Sequence, residues 1–278
     1  MAILIDTVQV SDYLSPSRLP ASEFVINPYI GCPHGCLYCY AEFMRRFTHH
    51  SEPWGTFLDI KECAKPINTG KLAGKTVILS SVTDPYNPFE KKYGLTRKLL
   101  EQMAGSDACI SIVTKSDLVL RDMELLKQAK SVQVAISMNT LDDSFRQEME
   151  PGAPSIGRRL TALRTLHDAG IHAVLFMSPI FPSLTNVRGI LEATHQFIDT
   201  YWFENLNLRG GYRPRIMRLI AEKYPHALPL YKEIYEKKDG SYWECLSDLI
   251  PVWCKELGIV DFVNYFYHER IVRKPRRA

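Results

Sequence analysis

Asn27-Pro-Tyr-Ile-Gly-Cys-Pro-His-Gly-Cys-Leu-Tyr-Cys-Tyr40 places Cys32, Cys36 and Cys39 in a C-x3-C-x2-C spacing. Fully extended, the steps from Cys32 to Cys39 would span about 23 Å. The loop must curl to bring three sulfurs onto one small centre. Gly31 and Gly35 permit the left-handed backbone such a curl needs, and Pro33 fixes φ. Three thiolates from one tight loop, with no fourth nearby, suit a cubane iron–sulfur cluster. Cluster sites normally use four cysteines, so a three-cysteine loop leaves one iron open to another ligand. The alternative is zinc, which takes four ligands from paired C-x2-4-C or Cys/His units, and no second unit follows at such spacing.

With Tyr38 before its last cysteine, the motif resembles the signature of the radical SAM enzymes. The flanks Asn27-Pro-Tyr-Ile-Gly-Cys and Cys-Leu-Tyr-Cys-Tyr-Ala41 resemble the spore photoproduct lyase-like branch. The resemblance implies a [4Fe-4S] cluster whose open iron is chelated by S-adenosylmethionine. It also implies reductive cleavage to a 5′-deoxyadenosyl radical that takes hydrogen from a substrate. A low-potential electron donor of ferredoxin or flavodoxin type is implied with it.

The chain has 278 residues, a net charge of +3 and seven cysteines. That length suffices for one large α/β domain. The odd cysteine count, three of them in a metal motif, argues for a reducing cytoplasm over a disulfide framework. Cys109 reads as a buried core thiol, and Cys63, Cys245 and Cys254 are scattered. Met1 to Glu23 lacks the pattern of a signal peptide. The apolar run Ile171 to Pro182 is too short to span a bilayer. The small net charge decides nothing about nucleic acid. Five cationic side chains in Arg270-Ile-Val-Arg-Lys-Pro-Arg-Arg-Ala278 form either a solvated tail or a phosphate-binding one, and family analogy adds DNA or RNA as a substrate.

Residues 1–23 read as a lead-in broken by Ser15, Pro16 and Pro20, and 48–74 as a loop-rich insert containing His49, His50 and Trp54. Between them, Phe24 to Asn27 is a first strand and Ala41 to Phe47 a short helix. From residue 75 strands and helices alternate. Strands are expected at 75–80, 108–114, 132–138, 171–177 and 201–208, with helices at 94–104, 118–129, 158–169 and 187–198. Six β-then-α repeats call for parallel strands with crossover helices. Periodicity alone allows an eight-stranded barrel or a doubly wound sheet. The resemblance implies the α/β fold of that family, a partial (β/α)6 TIM-type barrel, over residues 24–210. Residues 211–278 read as a helical C-terminal extension with helices at 214–223, 228–238 and 242–257, ending in the basic tail.

In parallel barrels the active site lies at the C-terminal strand ends, which selects the side chains to weigh. Ser80-Ser-Val-Thr-Asp-Pro-Tyr-Asn-Pro88 resembles the lyase-like branch rather than the Gly-Gly-Glu segment of many relatives. Ser80, Thr83 and Asp84 offer oxygens to an ammonium group, though Asp-Pro and Asn-Pro also make turns unaided. Lys115 and Arg159 suit the cofactor carboxylate, with surface positions as the alternative. Ser137 and Asn139 suit ribose hydroxyls, and the backbone of the Ser178 segment suits adenine. Tyr38 completes the cofactor set. Alternate residues share a strand face, so Asn205, Asn207 and Arg209 make a candidate substrate surface or an internal polar network. Tyr40 and Ser81 are the candidate catalytic pair. The resemblance puts a hydrogen-donor cysteine near Ser81. Serine is a far poorer hydrogen-atom donor, which argues against photoproduct repair itself. His34 reads as backbone-shaping or solvent-facing. A second class remains open, a non-catalytic iron–sulfur or zinc protein acting as sensor or scaffold, which would need no cofactor contacts at the strand ends.

Overall fold

The computed structural model describes residues 3–19 and 22–266. The basic tail lies outside the described residues. The strands are β1 (Leu4–Gln9), β2 (Leu14–Pro16), β3 (Phe24–Ile26), β4 (Tyr29–Ile30), β5 (Phe57–Glu62), β6 (Thr76–Leu79) and β7 (Cys109–Thr114), followed by β8 (Ser131–Ser137), β9 (His172–Ile180), β10 (Thr200–Asn205) and β11 (Phe262–Asn264). The main sheet has eight strands in the order β11-β10-β9-β8-β7-β6-β3-β2. From β3 to β11 every pairing is parallel, and only β2 joins antiparallel. Strands adjacent in the chain are adjacent in the sheet, so it is wound in one direction and remains open. That order differs from a doubly wound sheet, whose strand order reverses midway.

Alternation along these strands separates two faces. On one, Val77, Leu79, Ile110, Ile112, Val134, Ile136, Leu175, Met177, Tyr201 and Phe203 are buried. They join one core with Leu99, Leu163, Leu166, Ile190 and Leu191 of the crossover helices. Burying each such side chain contributes about 1.5–3 kcal/mol. The other face carries Thr76, Ile78, Ser111, Val113, Gln133, Phe176, Ser178, Trp202 and Glu204, and these line a cavity of about 490 Å³. Covering one face with helices leaves the other for a ligand.

The lead-in and the insert are more regular than the sequence suggested. β1 pairs in parallel with β5 from Leu4↔Phe57 to Gln9↔Glu62, and β4 pairs antiparallel with β5. Both long strands of this small sheet mix polar and apolar residues, so neither carries a strong hydrophobic period. The expected helix over 118–129 is a 3-10 turn, Asp117–Asp122, continued by one α-turn, Met123–Leu126. A helix over Asp143–Met149 was not anticipated. Helices at Arg213–Lys223, Leu228–Tyr235 and Ser241–Glu256 follow β10, and the last precedes the extra edge strand β11. No described helix is long and apolar enough to cross a membrane.

Candidate active site

The cysteine loop leaves the C-terminal end of β3 and is held from three sides. Gly31 has φ +87°, and a Cβ there would stand 2.3 Å from the Phe57 carbonyl oxygen, so β5 lies directly against the loop. Gly152 is as confined: a Cβ would meet the Pro33 oxygen at 2.4 Å. The Gly152 amide donates to the His34 carbonyl at 2.9 Å, and the Leu37 amide to that of Met149 at 2.9 Å. From the third side, Arg215 donates to the Leu37 carbonyl at 2.6 and 3.0 Å.

Cys32, Cys36 and Cys39 are free thiols lining the cavity. Burial pushes all three upward in pKa, and their mutual repulsion adds to the rise at Cys32. The Trp54 indole beside Cys39 acts in the opposite direction. Thiols crowded this way ionise only against compensating positive charge, which a bound iron cluster supplies. A tetrahedral zinc site needs its ligands to converge on one ion. No trio of His, Cys, Asp or Glu does so among the described residues.

Behind the loop sits a buried charge network. Glu150 accepts hydrogen bonds from the Tyr38 hydroxyl and the Arg159 guanidinium. Arg159 also donates to the Ser137 carbonyl at 2.9 Å and the Pro154 carbonyl at 3.1 Å. Lys115 Nζ lies 3.9 Å from Glu150 Oε1. Burial disfavours the Glu150 carboxylate, but Arg159 and Lys115 outweigh it and hold its pKa below the ordinary value. Burial likewise works against the Lys115 ammonium, and Glu150, Cys36 and Asp84 together more than offset it and raise its pKa.

Asp84 is the second anchor. It accepts from Thr114 Oγ1 at 2.6 Å and from the backbone amides of Lys115 at 2.8 Å and Tyr86 at 2.9 Å. His34 Nδ1 lies 3.3 Å from its other oxygen. Burial opposes this charge, but His34, Thr114 and the Lys115 amide hold the carboxyl down to about 2. His34 is therefore an interior partner of Asp84, 1% exposed, and the solvent-facing reading is corrected. Asn27 accepts from the Ser81 and Val82 amides at 2.9 and 3.1 Å, tying the end of β3 to that of β6. Thr83 Oγ1 donates to the Gly31 carbonyl at 2.5 Å.

Of the residues singled out from the sequence, Tyr38, Tyr40, Ser80, Ser81, Thr83, Asp84, Lys115, Ser137, Ser178, Asn205 and Asn207 line the cavity with the three cysteines. Asn139 and Arg159 are buried but do not line it, and Arg209 is exposed. Arg159 is thus neither a surface residue nor a cavity one, because its guanidinium is committed to Glu150 and two carbonyls. Ser80, at φ 72°, has its Oγ buried without a protein partner, as are both amide atoms of Asn139. Orphaned polar groups are costly unless a ligand satisfies them, so Ser80 in the cavity wall fits a bound polar cofactor. Tyr40 donates to the Ser81 carbonyl. Cys109, read as a core thiol, is only half-buried at the start of β7.

The sequence reading missed Glu204. It counted alternation outward from Asn205, but the register of β10 against β9 shifts between Phe203 and Asn205. Glu204 follows Trp202 on the cavity face, Asn205 lines the cavity at the end of β10, and Glu204 accepts a hydrogen bond from Ser178 Oγ.

An open parallel sheet with a three-cysteine loop at its C-terminal edge defines a cluster-dependent radical enzyme, and the family model for the radical SAM superfamily matches residues 26–190. The chain belongs to the radical SAM superfamily, which uses a [4Fe-4S] cluster and S-adenosylmethionine. It is 36% identical over 225 residues to an uncharacterized protein of Methanocaldococcus jannaschii, covering 81% of this chain and 85% of that one. It is 22% identical over 269 residues to the Radical SAM Nalpha-GlyT isomerase of Pseudomonas phage M6, covering 91% of this chain and 56% of the isomerase. Among solved structures, spore photoproduct lyase complexed with dinucleoside spore photoproduct superposes with a TM-score of 0.67 at 18% identity, covering 94% of this chain and 82% of that chain.

Proposed function

We propose that the chain abstracts hydrogen from a nucleic-acid substrate that reaches the cavity across the rim beside the cysteine loop. A cluster held by the three cysteines would, together with S-adenosylmethionine, supply the reductive radical chemistry. The protein's own groups orient and shield that chemistry. Cys32, Cys36 and Cys39 hold the cluster. Ser80, Thr83 and the Asp84 turn receive the cofactor's amino end, and Lys115 its carboxylate. Ser137 serves the ribose, and the backbone of the Ser178 segment the adenine. Tyr40, next to Ser81, is the group placed to relay a hydrogen atom.

The observation that carries the substrate class is the 3-10 helix Tyr40–Phe47. Its Tyr40, Phe43 and Phe47 are 54%, 44% and 66% exposed. The Arg46 guanidinium lies 5.6 Å from the Phe43 ring centroid and 4.6 Å from that of Phe47. Exposed aromatics interleaved with arginine are how single strands are gripped without sequence preference. The dinucleoside bound in the lyase complex supports the same class.

The test is binding of labelled single-stranded DNA and RNA to wild type and to Phe43→Ala and Phe47→Ala. Losing one stacking platform should weaken binding by about 1–3 kcal/mol, and affinity should fall with salt. Unchanged affinity in both variants removes nucleic acid as the substrate.

A further inference from the structure

The cavity holds a charge that the cofactor chemistry does not use. Among the side chains lining it, the formally charged ones are Asp84, Lys115 and Glu204. Asp84 is saturated by Thr114, two backbone amides and His34. Lys115 is engaged with Glu150. Among the described residues, Glu204 accepts its hydrogen bond from the neutral hydroxyl of Ser178. Burial pushes its carboxyl upward, with Ser178 and Lys115 only partly offsetting that. A carboxylate facing a cavity with no dedicated cation among the described residues is unfavourable, and a positively charged guest relieves it.

The surroundings of Glu204 favour the same guest. Trp202 stands two residues before it on the same face of β10, and Phe176 pairs with Trp202 across β9. Their rings meet edge to face at 5.6 Å. Tyr265 closes the corner, its ring 5.9 Å from that of Trp202. All three rings line the same cavity as Glu204. Aromatic faces attract organic cations, and the attraction grows when the site is desolvated. A neutral apolar guest would use the rings and leave the carboxylate unpaired. An anionic guest would be repelled by it.

We infer that Glu204, Ser178 and the aromatic corner Phe176–Trp202–Tyr265 form a substrate subsite for a protonated amine, an alkylammonium group. This rests on the proposed function only in placing the substrate inside the cavity, and it is independent of what grips the rim. The cysteine loop and Ser80 line the cavity at the strand ends, and Trp202 lies earlier along β10, with Phe176 between Trp202 and Ser137 in the sheet.

The experiment is a calorimetric titration of the full-length protein with pairs of probes that differ only in charge. Butylammonium is set against 1-butanol, Nα-acetyl-lysine amide against Nα-acetyl-norleucine amide, and an aminopropyl-substituted nucleoside against its propyl counterpart. Each amine should bind about tenfold more tightly than its neutral partner, the size of a desolvated cation–aromatic contact reinforced by a carboxylate. The pair with the largest ratio identifies an amino-acid or a nucleotide carrier. In Glu204→Gln the ratio should collapse to about one. Trp202→Leu in the same titrations should lower it at least threefold or so, which serves if Glu204→Gln unfolds. Equal binding of amine and neutral probes in wild type overturns the subsite, as does a preference that survives in both variants. The rim variants Phe43→Ala and Phe47→Ala should leave the amine preference intact, so a failure of the nucleic-acid reading and a failure of this one are told apart.

Discussion

Arg159 donates to Glu150 where neither side chain reaches solvent, directly behind the loop that carries the three cysteines. The pair fixes Glu150, Glu150 fixes the Tyr38 hydroxyl, and Tyr38 sits between Cys36 and Cys39. The cluster loop is thus braced from the interior by one charge pair nine residues apart in sequence.

Breaking that pair should be costly. Arg159→Met leaves Glu150 facing only Lys115 and Tyr38, and removing one partner of a buried pair destabilises by about 3–5 kcal/mol. The double variant Arg159→Met with Glu150→Gln should lose less than Arg159→Met alone, because no carboxylate is then stranded. Urea unfolding of the four corners of this cycle measures both. A single Arg159→Met variant within 1 kcal/mol or so of wild type would contradict the bracing role.

Gly152 should be irreplaceable for a different reason. A methyl group there would stand 2.4 Å from the Pro33 oxygen and 3.0 Å from the His34 Cα, so the loop must move away. Gly152→Ala should therefore lower the iron and labile sulfide retained after anaerobic reconstitution. Gly157, in the neighbouring helix with nothing within 4 Å of its added Cβ, is the control. Gly157→Ala should retain full iron and gain about 0.4–1 kcal/mol. Equal iron in both variants would show that Gly152 does not shape the loop.

These interior partners were the least legible part of the sequence. The alternating strands, the three-cysteine loop and the strand-end segments could be read because each leaves a local pattern: apolar runs, fixed spacings, Asp-Pro turns. Glu150 and Arg159 lie on a turn and a helix whose sequence says nothing of burial, so Arg159 read as a surface or cofactor residue. Glu204 shares the cavity face with Trp202 by simple alternation, but nothing local in Trp202-Phe-Glu-Asn205 tells which face of β10 meets the cavity, and Asn205 at the strand end reaches it too. β1 and β5 escaped because a parallel pair between residues 4–9 and 57–62 depends on contacts distant in sequence, not on a hydrophobic period.

Acid should loosen the far side of the sheet through Asp122. Its buried carboxylate receives Arg97 Nη1 at 2.7 Å and Arg121 Nη2 at 2.7 Å. Burial raises its pKa, yet the two arginines more than compensate and hold it below the ordinary value. A lowered folded-state pKa gives stability that is present above the unfolded value of about 4 and is lost as pH falls through the folded value. The stability gap between wild type and Asp122→Asn should therefore be widest above about pH 5 and narrow steadily below pH 4. Denaturant melts across that range check it, and a gap independent of pH would contradict the pairing.

The central claim is tested most directly by anaerobic reconstitution with iron and sulfide, reduction with dithionite, addition of S-adenosylmethionine and assay for 5′-deoxyadenosine. Wild type should form it, and Cys32→Ala, Cys36→Ala and Cys39→Ala should each abolish it together with the cluster's visible absorption. A fully loaded cluster that neither binds nor cleaves S-adenosylmethionine, with or without single-stranded nucleic acid present, would contradict the account and leave an iron–sulfur protein without radical chemistry.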